Sequence, residues 1–379
     1  MEQTVSLGAI ASAKGGEFLT SFPSTPQQRK VLRLIADCRT EALGGHSDQC
    51  DRCGFKHIFW NSCRDRHCPG CGAEARDRWL DERREELLDV PYFHVVFTIP
   101  GELRPLAHCA PALVYAILLR AAGQALLDVG ATKLRARLGS MVILHTWTQQ
   151  LQFHPHVHCV VPGGGVSRDG KRWIRVPMLD FLFAVKVLSR RFRTLVCKGI
   201  TEAYARGSLS IPDPIAHDRT ALDLLLVRAS KTDWHAYVKP PFGGPEQVLA
   251  YLAAYTHRIA ISNFRIKAFD GQSVTFSYRD YNAGNAQNLT SLPATEFLRR
   301  FLLHVVPPRF TRIRYYGLLA NRDRRANLQK ARTLIGSTRQ LRPRAPGPDP
   351  RLCPQCQKGT MRTVGRVDPQ RARTWFDSS

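Results

Sequence analysis

Two apolar stretches joined by a short polar link constrain this chain more than any other feature. The first reads Val142-Ile143-Leu144-His145-Thr146-Trp147. The second reads His156-Val157-His158-Cys159-Val160-Val161 and is closed by Pro162-Gly163-Gly164-Gly165. β-Branched and aromatic residues bounded by turn formers read as strands, and neighbours this close pair in one sheet. Side chains alternate faces along a strand, so His156 and His158 point one way and Val157 the other. Two imidazoles on one face are ready ligands for a divalent ion. A third ligand has to come from elsewhere. His154 has the right parity, although Pro155 follows it, and Gln149 and Gln247 are further candidates. The sequence contains no His-Glu-x-x-His, which argues against a zinc protease.

Residues 245–255 read Pro-Glu-Gln-Val-Leu-Ala-Tyr-Leu-Ala-Ala-Tyr after Gly243-Gly244, which predicts a helix. Pro245 suits the first helical position and Glu246 the positive end of the dipole. Positions i and i+4 are neighbours on a helix face, so Tyr251 and Tyr255 project side by side, with Gln247 one turn earlier. A phenol with a pKa of about 10 is a weak nucleophile until a base, a positive field or a metal helps it. An ion held by His156 and His158 would polarise a phosphate and orient it for in-line attack. Taken alone, each motif has a plainer reading: histidines on a half-buried strand, tyrosines packing a core. Their combination on a basic chain points to DNA cleavage through covalent tyrosine links.

The cysteines cluster. Cys50-x-x-Cys53 and Cys68-x-x-Cys71 stand fourteen residues apart, the pattern of two knuckles supplying four thiolates to one zinc ion. Gly54, Gly70 and Gly72 allow the tight turns, and His57-Ile58-Phe59-Trp60 reads as a strand, as in a zinc ribbon. Cys63 and His67 lie inside the loop as alternative ligands or part of a second site. Cys353-x-x-Cys356 is half a site near the C-terminus. With no visible secretory signal and isolated cysteines at 38, 109, 159 and 197, a reducing cytoplasm is expected rather than a disulfide framework.

The formal charge is +24, from 55 Lys and Arg against 31 Asp and Glu, which implies a polyanionic partner and salt-sensitive binding. A membrane is not expected as that partner: no apolar run reads as spanning, and Arg120 breaks the most apolar helix. Residues 309–332 hold eight Lys and Arg interleaved with Tyr315 and Tyr316. Bases stack on rings while cations track phosphates, so Arg309, Arg312, Arg314, Arg322, Arg324 and Arg325 are candidate contacts to single-stranded DNA. The expected layout is a loose N-terminus over 1–25, a helical and zinc-binding module over 26–88, a nuclease domain over 89–305 and a basic C-terminal region over 306–379. Helices are expected near 26–45, 73–88, 110–137 and 178–205. Strands are expected near 92–100 and 234–238, with turns at Asp169-Gly170 and Asp270-Gly271. Together these give an α+β class: an antiparallel-leaning sheet with covering helices.

On these motifs the chain resembles a known family, the two-tyrosine HUH transposases of rolling-circle bacterial insertion sequences, of the insertion sequence 91 type. The likeness rests on His156-Val157-His158, on Tyr251-x-x-x-Tyr255 followed by Thr256-His257-Arg258-Ile259-Ala260, and on the zinc segment from Cys50 to Cys71. It runs from about residue 30 to about 360. The resemblance implies a palm-like sheet with the metal on one face. It implies His156 and His158 as ligands of Mg2+ or Mn2+, and Tyr251 and Tyr255 as nucleophiles forming 5′-phosphotyrosine. It also implies structural zinc, single-stranded element ends as substrate, and a bacterial, nucleoid-associated setting. Plasmid or phage rolling-circle replication initiators share the motif order and chemistry. A non-enzymatic zinc-ribbon DNA-binding protein would account for the charge and the cysteines, but not for the spacing of His156, His158, Tyr251 and Tyr255.

Overall fold

A computed structural model describes residues 5–177, 182–209, 219–232, 234–239, 247–248, 251, 259–280, 284–337 and 351–370. Its strands, in chain order, are β1 (Gly45–Cys50), β2 (Lys56–Trp60), β3 (Tyr92–Thr98), β4 (Ala136–Arg137), β5 (Gly139–Trp147), β6 (Phe153–Pro162), β7 (Gly164–Ser167) and β8 (Trp173–Arg175). Then follow β9 (Ala236–Lys239), β10 (Ile266–Phe269), β11 (Ser273–Asp280), β12 (Ala286–Pro293), β13 (Ile313–Gly317) and β14 (Met361–Val367). The central sheet runs in the order β13-β5-β6-β3-β9, and its neighbouring strands are antiparallel. Mixed helix and antiparallel sheet is the class expected from the sequence.

Alternation gives the central sheet two different faces. Phe93, Val95, Phe97, Val142, Leu144, Val157, Cys159 and Val161 are fully buried in one cluster with the helices Pro111–Val129, Val185–Ala205 and Arg219–Lys231. Each large apolar side chain removed from water there contributes about 1.5–3 kcal/mol. The opposite face carries Met141, Ile143 and Val160, together with the histidines described below. The helix Pro111–Val129 lies close to the sheet because Gly123 faces the Tyr316 ring of β13. A Cβ at Gly123 would sit 2.4 Å from Tyr316 Cδ2. Gly123→Ala is therefore expected to overpack this contact and to cost about 1–3 kcal/mol, read as a lower melting temperature with the metal sites intact.

That helix continues through one π-turn to Leu134, and Pro111–Leu134 is long and apolar enough to cross a membrane by length and composition. This corrects the expectation that no run reaches that length. Its apolar residues pack in the core, and Arg120 occupies the solvent side.

The N-terminus also departs from expectation. Residues 1–25 were expected to be loose, yet Leu7–Ser21 is a helix capped by Ser6, whose hydroxyl accepts from Ala9 N–H. Gly15, Gly16 and the small polar residues depress its intrinsic propensity, so packing supplies its stability. Leu7, Ile10 and Phe18 are buried with Val31, Leu32 and Ile35 of Pro26–Ala36. The same core takes in Val274 and Phe276 of β11 and Phe297 and Phe301 of Ala294–Leu302. The described parts of 306–379 do not stand apart either. β13 is an edge strand of the central sheet, and β14 pairs with β1 in a small sheet ordered β14-β1-β2.

Candidate active site and metal clusters

His145 on β5 lies directly opposite His156 on β6, and His158 follows two residues along on the same face. One nitrogen from each of the three rings lies within 4.8 Å of the others. His145, and not His154, is thus the histidine gathered with His156 and His158 in a group that could hold a metal ion. The reason is a β-bulge: between the pairs His145↔His156 and Trp147↔Phe153, β6 holds one residue more than β5, at His154-Pro155. A bulge re-aims the side chains around it. His154 turns away to Arg104, whose Nη2 donates to its Nδ1 at 3.0 Å. The backbone carbonyl of Gln149 accepts from the Arg265 guanidinium, and Gln247 is exposed.

The three rings suit a cation. Burial pushes His156 down to about 4 and His158 well below the usual histidine value, so both are neutral near pH 7 and carry a lone pair for a metal. The backbone carbonyl of His154 accepts from His156 Nδ1 at 2.6 Å. This fixes the tautomer and leaves Nε2 as the nitrogen available to a metal, the usual outer support of a metal-bound histidine.

Tyr251, in helical conformation like Gln247 and Val248, brings its hydroxyl to this face. The oxygen is 2.5 Å from His94 Nε2 and 3.0 Å from His158 Nδ1. The Tyr251 and His94 rings lie 4.6 Å apart. His94 went unnoticed in the sequence. It sits on β3 two residues before Val96, which pairs with His158, so strand parity places it on the histidine face. Burial, with a contribution from Lys239, pushes it down to about 3. Tyr255 lies outside the described residues.

The cysteine assignment needs correction. Cys50, Cys53, Cys68 and Cys71 do not share one ion. Cys68 and Cys71 gather instead with Cys38 and Cys63, with sulfur separations of 3.5 Å for Cys38–Cys71 and 3.6 Å for both Cys63–Cys71 and Cys38–Cys68. A tetrahedral ion with Zn–S bonds of about 2.3 Å needs sulfurs roughly 3.8 Å apart, so this cluster has the dimensions of a zinc tetrathiolate. Cys50 and Cys53 lie beside Cys353 and Cys356. His67 is no ligand: its Nδ1 bonds Asp65 at 2.8 Å and its Nε2 accepts Val306 N–H at 3.2 Å.

The arginine group divides as well. Arg312 is buried against the Trp147 ring, and burial pushes it down to about 9, so it is a core residue and not a surface contact. Arg314 pairs opposite Val142, on the face away from the histidines, and lies over Phe310. Arg324 stacks 4.1 Å from the Tyr315 ring centre and donates to both carboxylate oxygens of Glu86. Arg309, Arg322 and Arg325 are exposed.

With this geometry in view, the relatives are informative. The family described as "Putative transposase" matches residues 139–327, and that described as "Transposase zinc-binding domain" matches residues 10–99. The putative transposase y4qJ of Sinorhizobium fredii is 44% identical over 358 residues, which cover 90% of each chain. The transposase for insertion sequence element IS801 of Pseudomonas savastanoi pv. phaseolicola is 31% identical over 327 residues, covering 85% of this chain and 76% of that one. No solved structure matches. The two family matches and the two relatives agree: this chain belongs to the insertion sequence 91 family of transposases and carries that family's N-terminal zinc-binding domain.

Proposed function

We propose that this transposase cuts one strand of DNA by attack of Tyr251 and carries the released 5′ end as a phosphotyrosine. The observation that carries this reading is the Tyr251 hydroxyl 3.0 Å from His158 Nδ1, beside the cluster of His145, His156 and His158. The phenol oxygen attacks the scissile phosphorus, the bond from phosphorus to the 3′ oxygen breaks, and that oxygen leaves as a hydroxyl. The phenolic proton is given up, so protons balance. The new ester keeps the phosphodiester energy, and attack by another 3′-hydroxyl reverses the step without ATP. Tyr255 is the second nucleophile, allowing donor and target strands to be held at once, as rolling-circle transfer of a single strand requires.

His145, His156 and His158 would hold Mg2+ or Mn2+, which would polarise the phosphate and offset its charge. His145 and His158 are buried and His156 is half-buried. His94 Nε2, 2.5 Å from the Tyr251 oxygen, holds the phenol in place. The tetrathiolate of Cys38, Cys63, Cys68 and Cys71 has no open position and is structural.

Arg309, Arg322 and Arg325 remain as phosphate contacts to single-stranded element ends. Replacing any one by Ala is expected to lower the log–log salt slope of single-strand binding by about 0.7, whereas Arg312→Met should leave that slope unchanged. Salt-titrated fluorescence anisotropy reads the difference. The cleavage chemistry itself is tested with a labelled single-stranded element end and Mn2+ on a denaturing protein gel. A metal-dependent covalent band is expected. Binding without such a band, across several candidate ends, would leave a DNA-binding protein.

A further inference from the structure

Cys353 and Cys356 follow Cys50 and Cys53 by some three hundred residues, yet the four sulfurs meet. Cys50 Sγ is 3.8 Å from Cys356 Sγ, and Cys53 Sγ is 3.7 Å from Cys353 Sγ. One ligand atom from each of the four lies within 4.8 Å of the others. These separations match the edge of a zinc tetrathiolate, roughly 3.8 Å for Zn–S bonds of about 2.3 Å. They are far from the 2.05 Å or so of a disulfide.

The two knuckles are built to hold charged sulfurs. Backbone N–H groups of Arg52 and Cys53 donate to Cys50 Sγ at 3.4 Å, and that of Gly359 donates to Cys356 Sγ at 3.4 Å. Such bonds stabilise a thiolate over a thiol. Gly359 is needed for the approach, since a Cβ there would stand 2.4 Å from Cys50 Sγ.

The surrounding sheet has almost no other interior. Beside the sulfurs, Met361 is the only buried apolar side chain of this cluster among the described residues, with Phe55 packed partly against it. Lys56, His57, Ile58 and Phe59 of β2 are exposed, as are residues 362–366 of β14. A three-stranded sheet with so little apolar burial is not stable by packing alone and needs a cross-link or a metal.

We propose that Cys50, Cys53, Cys353 and Cys356 bind a second structural zinc, which ties the C-terminal strand β14 onto the N-terminal ribbon of β1 and β2. The matched zinc-binding domain ends at residue 99, so half of this site comes from outside it. The N-terminal module is completed by the far end of the chain, and loss of the C-terminal knuckle opens a site near residue 50. This rests on zinc binding by the chain and is independent of the cleavage chemistry proposed above.

Metal content of the purified full-length protein, by mass spectrometry against quantified protein, tests it. The wild type is expected to hold at least two zinc ions. Cys353→Ser with Cys356→Ser should lose one equivalent, and so should Cys50→Ser with Cys53→Ser. All four changes together should still lose only one, because the pairs share an ion. Adding Cys68→Ser and Cys71→Ser to the Cys50 and Cys53 changes should lose two. An unchanged zinc count without Cys353 and Cys356 would overturn the assignment, as would additive loss from the two pairs. A second readout needs no variant. Cys53 is exposed, yet its thiolate should resist alkylation in the native protein and react after zinc chelation, together with Cys353 and Cys356. Alkylation of Cys53 at the same rate before and after chelation, or a non-reducing mass showing these cysteines as disulfides, would also overturn it.

Discussion

Tyr251→Phe is expected to abolish the covalent protein–DNA band while single-stranded DNA still binds. The substitution removes one oxygen and keeps the ring, which packs with Val248 and Val160 and lies 4.6 Å from the His94 ring. What is lost is the hydroxyl between His94 Nε2 and His158 Nδ1. Removing one hydrogen-bonding group of this kind costs about 0.5–1.5 kcal/mol, so the fold should survive. Removal of a nucleophile costs far more in rate, on the order of 10³-fold or greater. The expected split is therefore a melting temperature and single-strand affinity near those of the parent, with cleavage below detection. Tyr255→Phe should retain the first cleavage and lose transfer of the second strand. In the variant with both changes no covalent product should form with any metal. A covalent band that persists there would remove the tyrosine mechanism, whatever the binding data show.

The parts of this site that were legible in the sequence share one property: their partners are close in the chain or set by a fixed period. His156 and His158 share a face because a strand repeats every two residues, and this holds whatever the strand pairs with. His145 stood in plain view in the neighbouring strand. Its place opposite His156 depends on inter-strand register, which the extra residue at His154-Pro155 sets. Parity alone favoured His154, on the wrong side of that bulge. His94 needed the further knowledge that β3 borders β6.

The cysteines show the same limit. Spacing identified the knuckles, but a knuckle does not specify its mate. Cys68 and Cys71 close with Cys38 and Cys63, and Cys50 and Cys53 close with residues some three hundred positions away. Arg312 shows another limit, because a cation in a basic run looks the same in sequence whether it meets solvent or lies buried on Trp147. The helix Leu7–Ser21 was invisible for a related reason. Its stability comes from contacts with Val31, Leu32, Ile35, Val274, Phe276, Phe297 and Phe301, which local propensity does not contain.

His145→Ala is expected to separate the metal from the fold and from the nucleophile. If His145, His156 and His158 hold the catalytic ion, removing one of three nitrogens should raise the metal concentration needed for half-maximal cleavage by at least 10–100-fold, the cost already seen for outer-sphere partners of metal sites. Single-strand binding should persist. The donor set also makes a prediction about metal identity. Three imidazole ligands suit Mn2+ better than Mg2+, which prefers oxygen ligands, so the parent should reach half-maximal cleavage at lower Mn2+ than Mg2+. Two other histidines serve as controls because they occupy different environments. His154 meets Arg104 at the edge of the site, so His154→Ala should leave the metal titration unchanged. His304 is buried between Thr146 and the Leu151 carbonyl. His304→Ala should therefore lower the melting temperature, while the surviving folded protein keeps the parent's metal dependence. The three variants are read in one assay, cleavage against Mn2+ concentration at matched folded protein. Loss of metal dependence in His154→Ala but not in His145→Ala would move the ion to the far side of the bulge.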